Sequence, residues 1–200
     1  APLYSSESQI LEKVKKRSKW ICKQKRFFQQ FQPLQPPRKF IAGETHRYLG
    51  RQCRLKFLES EQAQVKLQRG QLEVYMPRPF KSELARELVT AWFRDKALLY
   101  FKKLMKDLSF VLEKLEVRQP EIKVRQMKTR WGSCSKEGVI TLNPELMKAP
   151  GSCIRYVLLH EICHLKEHNH NQGFYTLLDK FMPEWRDEKK KLNLMADLNL

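Results

Sequence analysis

The residues that most restrict what this chain can become are His160-Glu161-Ile162-Cys163-His164, an H-E-x-x-H pentapeptide inside an apolar run. An α-helix brings positions four apart onto one face, so a helix here offers the imidazoles of His160 and His164 to one cation. Glu161 stands about 100° round the same helix. Its carboxylate can there reach a water activated by the cation without being a ligand, which general-base chemistry requires. The motif asks for a helix, a metal and hydrolysis together.

A catalytic zinc site normally takes three protein ligands and keeps a fourth position for water. His168 and His170 both follow the motif. A third ring from His168 on the same helical face would spread the set along about 12 Å of axis, too far for one ion. His170 is better placed if the chain reverses after the helix, with Asn169 as the expected left-handed terminator. The spacing also overlaps H-E-x-x-H-x-x-G-x-x-H, but Glu167 stands where that pattern uses glycine, and this ranks the alternative low.

Two hundred residues at 42% hydrophobic content suit one catalytic domain, alone or with a smaller appendage. Lys plus Arg exceed Asp plus Glu by 39 to 22, and residues 1–56 hold fourteen of these cations against Glu7, Glu12 and Glu44. Such a surplus attracts nucleic acid, nucleotides or anionic lipid headgroups, or is a solvated basic face. The five cysteines are odd in number and form no C-x-x-C pair, which favours a reducing compartment. No apolar run reaches the roughly 18 residues of a membrane span, and no signal-peptide core opens the chain. The expectation is a soluble, cytoplasmic protein without a membrane partner; its oligomeric state is not legible.

Residues 7–31 carry apolar side chains at helical spacing among cations, for core packing or, through Trp20 and the phenylalanines, for stacking on bases. Pro33, Pro36 and Pro37 then mark a linker. Alternating runs at 52–58, 64–67 and 72–75 predict a small antiparallel sheet. A three-four periodicity over 82–116 predicts one long helix, or two with a bend. Strands are expected over 121–127 and 139–142, the central helix from an N-cap at Ser152, a helix from Asn171 and a last one from about Glu184. This divides the chain into a basic N-terminal extension with its Pro-rich linker (1–44), a small antiparallel β region (45–79) and a metallohydrolase domain (80–200).

Several linked motifs in one order then become specific: Arg130-Trp131-Gly132-Ser133-Cys134-Ser135, Ile140-Thr141-Leu142-Asn143, the stretch from Tyr156 through His160-Glu161 to Leu165, Asn169-His170-Asn171 with Phe174, and Met182-Pro183-Glu184-Trp185. In these the chain resembles the YgjP-like family of metal-dependent hydrolases, related to the SprT-like and WLM metallopeptidases and to minimal zincins. The match is best from about residue 130 to 185. The resemblance implies an α+β, zincin-like domain in which zinc is held by His160, His164 and His170 with Glu161 as base. It also implies that the strand around Val139, Ile140 and Thr141 borders the cleft, where an extended substrate pairs with a strand edge. Arg130 either orients a carbonyl or phosphate near the metal or pins its loop by a salt bridge. Glu184 is a candidate partner for a ligand histidine. Cys134 and Cys163 read as packing, Trp131 and Gly132 as shaping their loop, and His168, Tyr175 and Arg130 as candidate oxyanion donors.

Three functions follow. The first is a zinc peptidase acting on peptide or protein. The second is a nucleotide pyrophosphatase or phosphohydrolase acting on nucleoside triphosphates, which relatives suggest but for which the chain has no Gly-rich phosphate loop and no carboxylate cluster for Mg²⁺. The third is an SprT-like protease tethered to nucleic acid by its basic N-terminal part. A purely structural zinc is disfavoured, because such sites are closed by four ligands and rich in cysteine.

Overall fold

The computed structural model describes residues 6–22 and 38–195. The chain divides into two compact units, 1–36 and 37–200. In the first, helix α1 (Glu7–Lys16) opens with a capping box between Ser6 and Gln9 and ends on Lys13, Lys15 and Lys16, each charge suited to its end of the helix dipole. The expected core role for this stretch is not what the described residues show. Leu11, Val14 and Trp20 are 52%, 47% and 61% exposed. Phe27, Phe28, Phe31 and the linker prolines lie outside the described residues.

The second unit is α+β and shares one core from residue 53 to residue 192. Strands β1 (Thr45–Tyr48), β2 (Arg51–Glu59), β3 (Gln64–Gln68) and β4 (Gln71–Met76) form a sheet in the order β1-β2-β4-β3. It is mixed, which corrects the antiparallel expectation: β2 and β4 run parallel, with Leu55 opposite Leu72 and Phe57 opposite Val74. The β3–β4 hairpin docks as a unit on β2, burying Leu72, Val74 and Met76 beside Cys53 and Leu55. Alternation along each strand predicts which side is buried but not the direction of its neighbour.

Helix α2 (Ser82–Asp107) follows, with Ala85, Val89, Phe93, Ala97, Phe101 and Leu104 buried at intervals of four and three. A bend at Leu108 separates it from α3 (Ser109–Leu115), which the left-handed Glu116 ends. A second sheet of β5 (Glu121–Val124), β6 (Gly132–Cys134) and β7 (Val139–Leu142) has the order β5-β7-β6. A 3₁₀ turn (Pro144–Lys148) leads into α4 (Gly151–Cys163), and α5 (Gln172–Phe181) and α6 (Trp185–Leu194) pack behind it. Helix α4 is buried almost all round. Its N-cap is Pro150, not Ser152: the extended Pro150 carbonyl accepts from Ile154 N at 3.2 Å, which makes Gly151 the first helical residue. Buried Cys153 donates to Glu188 Oε2 at 3.3 Å and Lys191 Nζ to Glu188 Oε1 at 2.6 Å, so one carboxylate of α6 fastens the start of α4.

Candidate metal centre

Helix α4 ends at Cys163, with His164 as its C-cap, so His160 and His164 sit on the last turn and share a face. Turn bonds from Lys166 and Glu167 N to Cys163 O then carry the chain away from the helix axis. The reversal does not use Asn169 in the left-handed region, since Asn169 is not among the residues with positive φ. It rests on hydrogen bonds: Asn171 N donates to Asn169 O at 2.8 Å, and the Asn171 side chain caps α5 by accepting from Phe174 N at 2.9 Å. His170, one residue before this cap, folds back over the helix end. One ring nitrogen from each of His160, His164 and His170 lies within 4.8 Å of the other two. His168 is exposed and stands outside the cluster.

These donors suit a cation. Burial lowers the His160 pKa to about 3, with the neighbouring rings adding to the effect, and burial lowers that of His164 as well. Both shifts favour the neutral ring, which offers a lone pair. His164 Nδ1 lies 3.0 Å from the Glu167 carbonyl oxygen, which only accepts. Nδ1 thus carries the proton, and the Nε2 lone pair is left for a ligand. His160 Nε2 and His170 Nε2 meet at 3.0 Å, two nitrogens converging on one point. His160 Nδ1 is buried without a partner among the described residues. An orphaned N–H of this kind costs about 1–3 kcal/mol, which coordination at Nε2 can offset. Phe174, fully buried, closes the floor, with ring centroids 4.8, 4.6 and 4.7 Å from those of His160, His164 and His170.

Glu167 does two jobs where the glycine-bearing pattern has none. Its carbonyl fixes the His164 tautomer, and its Oε2 accepts from Asn171 Nδ2 at 3.0 Å, tying the α5 cap to the end of α4. The expected partner, Glu184, is instead exposed at the start of α6. Tyr175 stacks on His170 at 6.3 Å and on Trp185 at 5.7 Å, which braces the His170 ring.

Glu161 is 5% exposed and lies against β6. A Cβ at Gly132 would stand 2.7 Å from Glu161 Oε1, so only glycine leaves the carboxylate its place. Burial raises the Glu161 pKa to about 7, with the Arg130 guanidinium opposing. Arg130 is exposed and makes no ion pair among the described residues; a salt bridge does not pin its loop. Asn143 does. Fully buried, it donates from Nδ2 to Met127 O at 2.8 Å and Arg130 O at 3.2 Å, and its N donates to Trp131 O at 2.9 Å. Sequence reasoning quoted Asn143 but missed this role; the signal was an amide-bearing residue closing a buried strand. Burial raises the Cys134 pKa to about 11, aided by the Glu161 charge, and Cys134 does not join the histidine cluster.

Val139, Ile140 and Thr141 do not form a free strand edge. They lie on β7, the central strand, paired with β5 on one side and β6 on the other. The edge beside Glu161 belongs to β6. Asn143 N bonds Trp131 O and Ser135 N bonds Val139 O, so alternation turns the backbone groups of Gly132 and Cys134 away from β7, toward the open side.

With this geometry described, comparison with known proteins gives three results. A family model described as YgjP-like, metallopeptidase domain, matches residues 1–195. No curated protein matches the chain. Among solved structures, the chain is similar to the metallopeptidase zymogen abylysin of Pyrococcus abyssi, at 24% identity and a TM-score of 0.43, over 50% of this chain and 98% of that one. It is similar also to the metallopeptidase zymogen jannalysin of Methanocaldococcus jannaschii, at 22% identity and a TM-score of 0.40, over 46% of this chain and 92% of that one.

Proposed function

This chain belongs to the YgjP-like metallopeptidase family, and from that premise we propose that it is a zinc-dependent, zincin-like peptidase with Glu161 as general base. The observation that carries the reading is the convergence of three imidazole nitrogens within 4.8 Å, beside a buried carboxylate one residue into the motif. Three imidazole donors, with no fourth protein ligand beside them among the described residues, are the donor set of a catalytic rather than a structural zinc. Bound there, zinc would polarise the scissile carbonyl and make water acidic enough to be deprotonated near neutral pH.

The chain's own residues do the rest. Glu161, held by Gly132 and shielded from solvent, takes the proton from the attacking water and returns it to the leaving amine. The open edge of β6 receives the substrate backbone through Gly132 and Cys134, so the peptide is read as an added strand and only weakly by sequence. That assignment takes the place of Val139, Ile140 and Thr141, whose backbones are already paired. Arg130, close enough to lower the Glu161 pKa, orients the carbonyl oxygen. Among the described residues no helix is long and apolar enough to cross a membrane, and five free cysteines suit a reducing cytoplasm.

The test is hydrolysis of an unfolded protein by the zinc-loaded chain and by Glu161→Gln. Cleavage by the first and its loss in the second, with zinc retained in both, is the expected result. Hydrolysis of nucleoside triphosphates in place of peptide would replace this reading with the phosphohydrolase one.

A further inference from the structure

A groove of about 1540 Å³ runs along the other edge of the three-stranded sheet, and no residue of the histidine cluster lines it. One wall is a single face of α2, marked by Arg86, Thr90, Arg94 and Leu98 at steps of four, and spans roughly 18 Å. The other is β5 and its continuation, residues 122–126, which extends roughly 13 Å, so the helix wall runs the full length of the strand. Arg125 N donates to Leu142 O at 3.1 Å, which turns the backbone of Lys123 and Arg125 toward β7. By alternation the N–H and C=O of Ile122 and Val124 point the other way, to the groove.

The side chains around this edge are mainly cationic. Arg38, Arg86, Arg94, Lys123, Arg125 and Lys148 line the groove against Glu87, Asp95 and Glu145. Lys148 pairs with Glu145, and Lys123 Nζ lies 3.3 Å from Glu121 Oε2, so the arginines carry the charge offered to a ligand. We propose that the groove is a docking site for an extended acidic peptide segment, which joins β5 as an added strand while its carboxylates meet the arginines, Arg94 and Arg125 foremost. A peptide fits better than nucleic acid for two reasons. The strand edge offers acceptors as well as donors, and a phosphodiester backbone has no use for acceptors. The one aromatic side chain among the described lining residues, Phe40, has the Arg86 guanidinium 5.4 Å over its ring and so is not free to stack a base.

The role of such a site, holding an acidic stretch of a protein substrate away from its scissile bond, rests on the peptidase reading; the binding does not. Strands added at β5 and at β6 would lie four strand spacings apart, about 19 Å. At least about six residues must therefore separate the acidic stretch from the cleaved bond.

The experiment is fluorescence anisotropy at low and moderate salt on the full chain carrying Glu161→Gln, so that no probe is cleaved. The probe is a labelled peptide of about eight residues alternating Glu and Thr, enough to fill the strand. A single-stranded oligonucleotide of equal charge is the comparison. Two variants are read. Arg94→Glu with Arg125→Glu reverses two charges of the lining. Val124→Pro removes one groove-facing N–H and leaves the β5–β7 ladder intact, as proline is tolerated on the open side of an edge strand. The expected result is saturable peptide binding weakened about tenfold or more by each variant, with oligonucleotide binding weaker and indifferent to Val124→Pro. If Val124→Pro melts early, the charge-reversed variant decides alone. Absent peptide binding at low salt, peptide affinity unmoved by the variants, or tighter binding of the oligonucleotide would each overturn the proposal. A separate assay keeps the two readings apart: with wild-type protein, charge reversal should raise KM for an acidic-tailed substrate about tenfold and leave kcat unchanged. No cleavage of any peptide would remove the peptidase reading and leave the binding result standing.

Discussion

At the β6 edge of the three-stranded sheet, Gly132 presses on the buried carboxylate of Glu161, and the histidine rings rest on buried Phe174 with Tyr175 stacked on His170. At the β5 edge, two strands away, the same kind of unpaired backbone faces an open groove in which cations outnumber carboxylates six to three. Both edges offer alternating N–H and C=O groups, so pairing alone does not distinguish them. What stands beyond the edge does. Helix α4 sets the buried acid of Glu161 against β6, beside the histidine cluster, while the exposed face of α2 sets arginines against β5. On the two proposals above, one sheet would hold a polypeptide at two places and act on it at one.

Four substitutions sharpen or break this contrast. Glu161→Gln has the largest expected effect: peptide hydrolysis falls by about 10²–10⁴-fold with metal content unchanged, read by steady-state kinetics and elemental analysis. Activity that survives would move the base elsewhere. Gly132→Ala follows, since its Cβ would collide with Glu161 Oε1 at 2.7 Å. A misplaced base should lower kcat about 10²-fold, and forcing a methyl into that contact should cost about 1–3 kcal/mol in denaturant melts. A fully active Gly132→Ala would separate β6 from the chemistry. Asn143→Ala leaves the Met127 and Arg130 carbonyls short of their donor and should lower stability by about 1–3 kcal/mol, with a milder loss of activity as the loop before β6 loosens. The smallest effect belongs to Arg94→Glu. On an exposed helix face it should shift stability by no more than about 0.5 kcal/mol and leave the turnover of a short neutral peptide unaltered. A large loss there would mean that the two edges are not independent.

Much of the site's frame was legible because it depends on spacing along one helix. His160, Glu161 and His164 are placed by the 3.6-residue period, and the helix rise disfavours His168 on a continued helix, whereas bringing His170 back needed the chain to reverse. The means of the reversal was not legible. A left-handed Asn169 was the local expectation, whereas the chain turns on Asn171 and on Glu167, whose contacts join residues from separate elements. Phe174 reads in sequence as one more apolar residue on an amphipathic helix, and nothing in its spacing tells that three histidine rings rest on it.

The sheets show the same division. Alternation marked β2 and β4, yet their parallel pairing depends on contacts between strands that are not adjacent in sequence, and alternation is silent on those. With only three residues, β6 is too short to show a period, so the edge beside Glu161 was assigned to β7, the longer and more apolar strand. The basic groove was invisible for a related reason. Its cations are scattered from Arg38 to Lys148 and gather only when α2 and β5 come together, whereas the sequence drew attention to the denser charge near the N-terminus.

The central claim is that three imidazoles hold one catalytic zinc beside Glu161, and metal content measured by elemental analysis tests it most directly. Wild type, Glu161→Gln and His170→Ala would be dialysed against zinc, washed and analysed, with hydrolysis of an unfolded protein followed in parallel. The account predicts about one zinc per chain in wild type and in Glu161→Gln, activity in wild type only, and markedly weaker zinc retention in His170→Ala. Wild-type protein that takes up no zinc, or His170→Ala that holds it as tightly as wild type, would contradict it.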